Sequence, residues 1–210
     1  MSYEDTFKPY VKTSEAVISD QINISLSEEI ESVENFMIIT ADSLQKEVPV
    51  IAFDKASTGD EKEIMVNILS NDLDTLKYYL VSENIKDLKG NITKIDTILI
   101  RGMAIVDTTG PEIISSYPRN GASLKKAKPE IRIIFDEIIL TANINISLTG
   151  LEDDRDIALD VIKGNSTVLI LKPAEKLRNL SSYRLDLNAG DQKGNKLKEP
   201  FQLDFIIIQR

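Results

Sequence analysis

Ile64–Asn91 reads IMVNILSNDLDTLKYYLVSENIKDLKGN, and Val168–Asn195 reads VLILKPAEKLRNLSSYRLDLNAGDQKGN. Laid over one another without a gap, at an offset of 104, the two 28-residue stretches share eight identities. These are Leu73/Leu177, Leu76/Leu180, Tyr79/Tyr183, Asn84/Asn188, Asp87/Asp191, Lys89/Lys193, Gly90/Gly194 and Asn91/Asn195. A period near one hundred is too long for a solenoid unit and fits a whole small domain. The 210-residue chain therefore reads as two tandem copies of one module.

Around those stretches, apolar residues alternate at period two, the mark of half-buried strands. The second copy carries Ile131-Ile133-Phe135, Ile144-Ile146-Leu148, Val168-Ile170, Tyr183-Leu185-Leu187 and Leu203-Phe205-Ile207. The first carries Ile22-Ile24-Leu26, Phe36-Ile38, Ile64-Val66-Ile68, Tyr79-Val81 and Ile98-Ile100. Thirty isoleucines support strands, because β-branched side chains suit a pleated surface. Asn120-Gly121, Gly164-Asn165, Lys89-Gly90-Asn91 and Lys193-Gly194-Asn195 supply turns. The expected fold is all-β: two tandem Greek-key β-sandwiches joined by a short linker.

The boundary is expected at Asp107-Thr108-Thr109-Gly110-Pro111, echoed by Asp5-Thr6-Phe7-Lys8-Pro9 at an offset of 102. The domains are then residues 1–106 and 107–210. From Pro9 to Leu26 is 17 residues, whereas Pro111 to Phe135 is 24, so the first copy has a shorter first hairpin.

Composition removes several functions. A net charge of −9 argues against nucleic acid, since neutralising phosphates takes clustered Lys and Arg. No apolar run reaches the length of a membrane span, and no basic amphipathic helix offers itself to a lipid surface. Without cysteine or histidine, disulfides, thiolate chemistry and the commonest general base and zinc ligand are all missing. Carboxylate pairs occur at Asp136-Glu137, Glu152-Asp153-Asp154 and Asp72/Asp74, but there is no Trp to line a sugar cleft. No enzyme activity is expected.

The second copy resembles the bacterial Ig-like domains (Big_5, SbsA type) of S-layer and other surface proteins. The resemblance is carried by Gly110-Pro111-Glu112-Ile113-Ile114-Ser115-Ser116-Tyr117-Pro118-Arg119-Asn120-Gly121-Ala122, then Ile133-Ile134-Phe135-Asp136-Glu137-Ile138. Leu180-Ser181-Ser182-Tyr183-Arg184-Leu185 and Asp191-Gln192-Lys193-Gly194-Asn195 follow in the same order. The first copy is a more divergent relative, keeping Leu26-Ser27-Glu28-Glu29-Ile30 and Asp87-Leu88-Lys89-Gly90-Asn91. The resemblance implies a non-catalytic, extracellular or cell-surface segment: a stalk, spacer or adhesive module. Alternatives are a self-assembling S-layer or sheath component, or a carbohydrate- or protein-binding accessory module of a surface enzyme. Partners are then neighbouring domains or a surface ligand, and Met1 an artificial start within a longer secreted chain.

Three structural expectations close the reading. Tyr79 and Tyr183, each six residues after a leucine, are expected to form tyrosine corners. Gly90 and Gly194 are expected to supply positive φ in their turns. Asp107, Asp136, Asp191 and Asn195 are expected to converge at one pole of the second domain. Such oxygens suit Ca²⁺, which takes 6–8 of them. No other cofactor is expected.

Overall fold

A computed structural model describes residues 5–55 and 65–209. The chain divides into two compact units, Met1–Asp107 and Thr108–Arg210. Ile64, assigned above to the first repeat, lies outside the described residues.

The first domain contains β1 (Val11–Ile18), β2 (Gln21–Leu26), β3 (Ile30–Ser32), β4 (Asn35–Thr40), β5 (Glu47–Val48), β6 (Val50–Lys55), β7 (Met65–Ser70), β8 (Lys77–Asp87) and β9 (Ile92–Arg101). One sheet runs β1-β2-β7-β6. The other places β8 between β9 on one side and β4 with β3 on the other, with β5 beyond β4. Alternation fixes which side each strand buries: Ile22, Ile24, Leu26, Phe36, Ile38, Val66, Ile68 and Leu80 interleave between the sheets.

The second domain contains β10 (Ile113–Tyr117), β11 (Ala122–Leu124), β12 (Ile131–Ile139), β13 (Ile144–Gly150), β14 (Arg155–Ile157), β15 (Leu159–Lys163), β16 (Ser166–Pro173), β17 (Ser181–Ala189) and β18 (Phe201–Ile207). A single 3₁₀ turn, Thr141–Asn143, leads into β13. The sheets run β10-β12-β16-β15 and β11-β18-β17-β13-β14. Ile131, Ile133, Phe135, Leu169, Leu171, Leu185, Leu203 and Phe205 fill the space between them.

The seven-residue difference in the first hairpin has a structural use. In the second domain the chain leaves β10 after a cis Tyr117-Pro118 bond, turns at Gly121 with φ of 77°, and crosses to the other sheet as β11. There it pairs in parallel with β18, Ala122 opposite Phe205 and Leu124 opposite Ile207. Among its described residues the first domain has no such strand. Its β1 turns directly into β2, and β9 is bound to that entry by side chains. Asp96 Oδ2 accepts from Val11 N at 2.6 Å and Thr93 Oγ1 donates to Pro9 O at 2.5 Å.

Two strand phases differ from the sequence reading. In β16 the inward residues are Leu169 and Leu171, not Val168 and Ile170. In β8 they are Tyr78 and Leu80, not Tyr79 and Val81. Both strands are apolar at consecutive positions, so alternation alone does not choose a phase. Cross-strand partners do: Leu169 faces Ile133 and Leu171 faces Ile131.

Consequently the repeat does not keep one offset. By pairing partners, Ile24 corresponds to Ile133 (109), Val66 to Leu169 (103), and Tyr78 to Tyr183 (105). The offset of 104 holds at Leu73/Leu177 and again from Asp87 to Asn91. From Leu73 onward, one residue is missing from the first copy before β8, and one is restored within it. The extra residue is Asn84, at φ 50°, where burial flips from even-numbered (Leu80, Ser82) to odd-numbered positions (Ile85, Asp87). The ungapped match succeeded because the two changes cancel.

Candidate functional site

The tyrosine corners illustrate that shift. Tyr183 is 3% exposed, and its hydroxyl accepts a hydrogen bond from Arg178 N at 2.7 Å. Its counterpart is Tyr78, also 3% exposed, whose hydroxyl accepts from Asp74 N at 3.1 Å and donates to Asp74 Oδ1 at 3.0 Å. Burial and the adjacent Asp74 raise the Tyr78 pKa. Tyr79 is instead 40% exposed on the outer face, so the corner assigned to it belongs one residue earlier.

The two Asp-x-Lys-Gly-Asn turns are near copies. Asp87 Oδ1 accepts from Asn91 N at 2.8 Å and Oδ2 from Asn91 Nδ2 at 2.7 Å. Asp191 makes the same two bonds with Asn195, at 2.8 and 2.7 Å. Gly90 and Gly194 sit at φ 92° and 89°, and a Cβ at either would meet nothing within 4 Å. Backbone conformation, not crowding, requires glycine there. Burial works against ionisation of Asp87, but the Asn91, Lys89 and Gly90 donors outweigh it and lower its pKa.

Each buried turn aspartate gathers two more carboxylates. Asp107, Glu137 and Asp191 bring one oxygen each within 4.8 Å of one another, and so do Asp5, Glu28 and Asp87. The sets correspond: Asp5 and Asp107 open the two Asp-Thr-x-x-Pro segments. Glu28 and Glu137 stand two residues after Leu26 and Phe135, which are equivalent core positions. Of the residues expected at this pole, Asp107 and Asp191 come together. Asp136 does not join them: its Oδ1 accepts from Glu112 N at 2.8 Å, on the other side of β12. Asn195 donates its side-chain amide to Asp191 Oδ2. Glu137 was missed, although the odd-numbered phase of Ile131, Ile133 and Phe135 carries forward to it. In the first domain, burial and then the Asp87 and Asp5 carboxylates push the Glu28 pKa up. Three carboxylates at this spacing repel while ionised; they are relieved by a proton or a bound cation.

A surface cleft in the second domain is lined by Asn143, Asn145, Asn188, Asp191, Lys193 and Lys196, among others. Asn143 Nδ2 donates to Asp191 O across it at 2.8 Å. Its lining contains one carboxylate, Asp191, so it does not present an acid–base pair. No helix among the described residues is long and apolar enough to cross a membrane.

Residues 107–206 match the model of the bacterial Ig-like domain family. PcoC, a methionine-rich copper resistance protein from Escherichia coli, is 23% identical over 46% of this chain and 97% of its own, with a TM-score of 0.39. The N-terminal part of the bacterial S-layer protein SbsC aligns over 95% of this chain and 44% of its own, at 12% identity and a TM-score of 0.40. The titin domains Z1Z2, solved in complex with telethonin, align over 98% of both chains at 10% identity and a TM-score of 0.32. No curated protein sequence matches the chain. From Asp107 onward, the second of these two β-sandwiches is a bacterial Ig-like domain.

Proposed function

We propose that the chain is a non-catalytic segment of a bacterial cell-surface or secreted protein, built from two Ig-like modules that act as a spacer and contact element. The observation that carries this reading is the duplication itself. The two sandwiches have their own aliphatic cores and turns of the same design, and the cleft of the second domain is rich in amides and lined by a single carboxylate. Duplicating a module lengthens a projection and multiplies contact surface without needing a reaction centre. Fractionation of the source bacterium with an antibody to this chain tests it: the protein is expected in the envelope or the medium, and confinement to the cytosol would refute the reading.

A second reading concerns the carboxylate triads and is favoured by their recurrence in both domains. In it, Ca²⁺ is held by Asp107, Glu137 and Asp191, and by Asp5, Glu28 and Asp87, with backbone carbonyls and water completing 6–8 oxygens. Each triad joins an entry-segment aspartate, Asp5 or Asp107, to a turn aspartate, Asp87 or Asp191, so the role would be to tie the entry segment to that turn. Calorimetric titration with Ca²⁺ and melting with and without EDTA decide it. Heat of binding lost in Glu28→Gln and Glu137→Gln variants supports the site, and no heat at millimolar Ca²⁺ ends it.

A further inference from the structure

The outer face of the β9-β8-β4 sheet is apolar, and the same face of the second domain is not. Rows crossing the sheet in the first domain are Ile39–Tyr79–Leu99 and Met37–Val81–Thr97. The matching rows in the second are Thr149–Arg184–Asp204 and Ser147–Asp186–Gln202. There, Arg184 and Asp204 form a two-pronged ion pair at 2.7 and 2.7 Å, and Gln202 Nε2 donates to Asp186 Oδ1 at 2.7 Å. In the first domain, Tyr79, Leu99 and Ile95 are 40%, 50% and 65% exposed on one continuous face. Contiguous exposed apolar surface of this kind marks an interaction site. Two homologous sheets, one wetted by charge pairs and one left bare, point to a contact made by the first alone.

The ends of the bare face carry opposite charge. Lys77 stands beside Arg101 at one end, and Glu83 occupies the row with Asn35 and Ile95 at the other. Glu34 lies next to it, hydrogen-bonded by Asn84. Lys94 and Ile95 are both exposed where the alternation of β9 changes phase, so this end carries one cation beside the Glu83 and Glu34 carboxylates. From Lys77 to Glu83 the strand spans roughly 20 Å at about 3.3 Å per residue, with the apolar rows between the charged ends.

We propose that this face docks a second copy of the chain, face to face about a two-fold axis perpendicular to the strands. That operation lays the Ile39–Tyr79–Leu99 row against the Met37–Val81–Thr97 row of the partner subunit, and the reverse. It also sets Lys77 and Arg101 over Glu83 of the partner subunit, and Glu83 over the partner's basic pair. A self-complementary patch is what an isologous dimer requires. A two-fold axis parallel to the strands would instead stack like charges at both ends. The proposal takes only its setting from the surface-module reading, and the self-contact stands or falls by itself in solution.

Sedimentation equilibrium of the full chain, from micromolar to millimolar protein, tests it. The expected result is a reversible monomer–dimer equilibrium, weakened about tenfold or more by Leu99→Asp or Tyr79→Asp, both at exposed positions. Arg184→Ala, on the corresponding face of the second domain, leaves it unchanged. Lys77→Glu with Arg101→Glu weakens the dimer, and adding Glu83→Lys to the same chain restores it. Circular dichroism confirms that each variant remains folded. A monomer at every concentration overturns the proposal, including one that captures an unrelated protein instead. So does a dimer indifferent to Leu99→Asp and Tyr79→Asp, or a charge reversal that Glu83→Lys does not rescue.

Discussion

β8 of the first domain and β17 of the second are the same strand of one fold, yet they solve its geometry differently. β17 buries Tyr183, Leu185, Leu187 and Ala189 in unbroken alternation and delivers Asp191 to its turn. β8 buries Tyr78, Leu80 and Ser82, switches phase at Asn84, then buries Ile85 and Asp87. The tyrosine corner and the aspartate turn are kept in both, while the strand between them gains a residue. Fixed ends with a variable middle show where this fold is constrained: at the corner hydroxyl and the carboxylate-capped turn.

Core substitutions should break the comparison hardest. Phe135→Ala in the second domain should cost about 3–5 kcal/mol, and Leu26→Ala at the equivalent position about 2–5 kcal/mol, by denaturant unfolding. Both side chains close the same end of the aliphatic layer, so a loss confined to one domain would show the equivalence is misassigned.

The turn glycines come next. Gly90→Ala and Gly194→Ala should each cost about 1–2 kcal/mol, because a Cβ must adopt the left-handed conformation. Since space is open at both, Asn is expected to recover part of the loss.

Smaller effects separate the tyrosines. Tyr78→Phe and Tyr183→Phe each leave a backbone N–H without its acceptor and should cost about 1 kcal/mol. Tyr79→Phe should fall within about 0.5 kcal/mol, like other surface changes. The reverse order would restore the constant offset. Ser82, fully buried with its hydroxyl unpartnered, stands where Leu187 stands in β17. Ser82→Ala is therefore expected to be neutral or stabilising by up to about 1 kcal/mol.

Acidification should produce the smallest difference. The Arg184 hydrogen bond lowers the Asp204 pKa from its ordinary 3.8, over an opposing effect of burial. Its folded value lies below its unfolded one, so its stabilisation is complete above the unfolded value and lost as pH falls through the folded one. Glu28 has the opposite sign. Burial raises it above 4.5, so the first domain gains from this group as pH falls toward that value. Melting curves between pH 7 and 3 on Arg184→Met and Glu28→Gln should show these opposed trends, muted by solvent because the Arg184–Asp204 pair is partly exposed.

The class of fold was legible because short alternating runs and glycine-marked turns are local signals. Phase was not, wherever apolar residues stand side by side: Lys77-Tyr78-Tyr79-Leu80-Val81 offers two faces, and only pairing with β4 and β9 selects one. A constant offset then carried the error from Tyr78 to Tyr79. The pole of the second domain was half legible. Asp107 and Asp191 are marked by the repeated segments, but choosing Glu137 over Asp136 required carrying the β12 alternation past its last apolar residue. The bare face of the first domain was hidden for the same reason as the corner, since a strand read one residue out of phase assigns its exposed tyrosine to the interior.

The parallel pairing of β11 with β18 also decides how each domain answers tension. Force applied along the chain enters β11 at one end and leaves β18 at the other, so the two strands are dragged past each other. Their backbone bonds then share the load and must fail together. In the first domain, side-chain bonds from Val11 to Asp96 and from Thr93 to Pro9 join the entry segment to the last strand. Bonds of this kind can be stripped one at a time, so a pull on the chain is expected to open the first domain before the second.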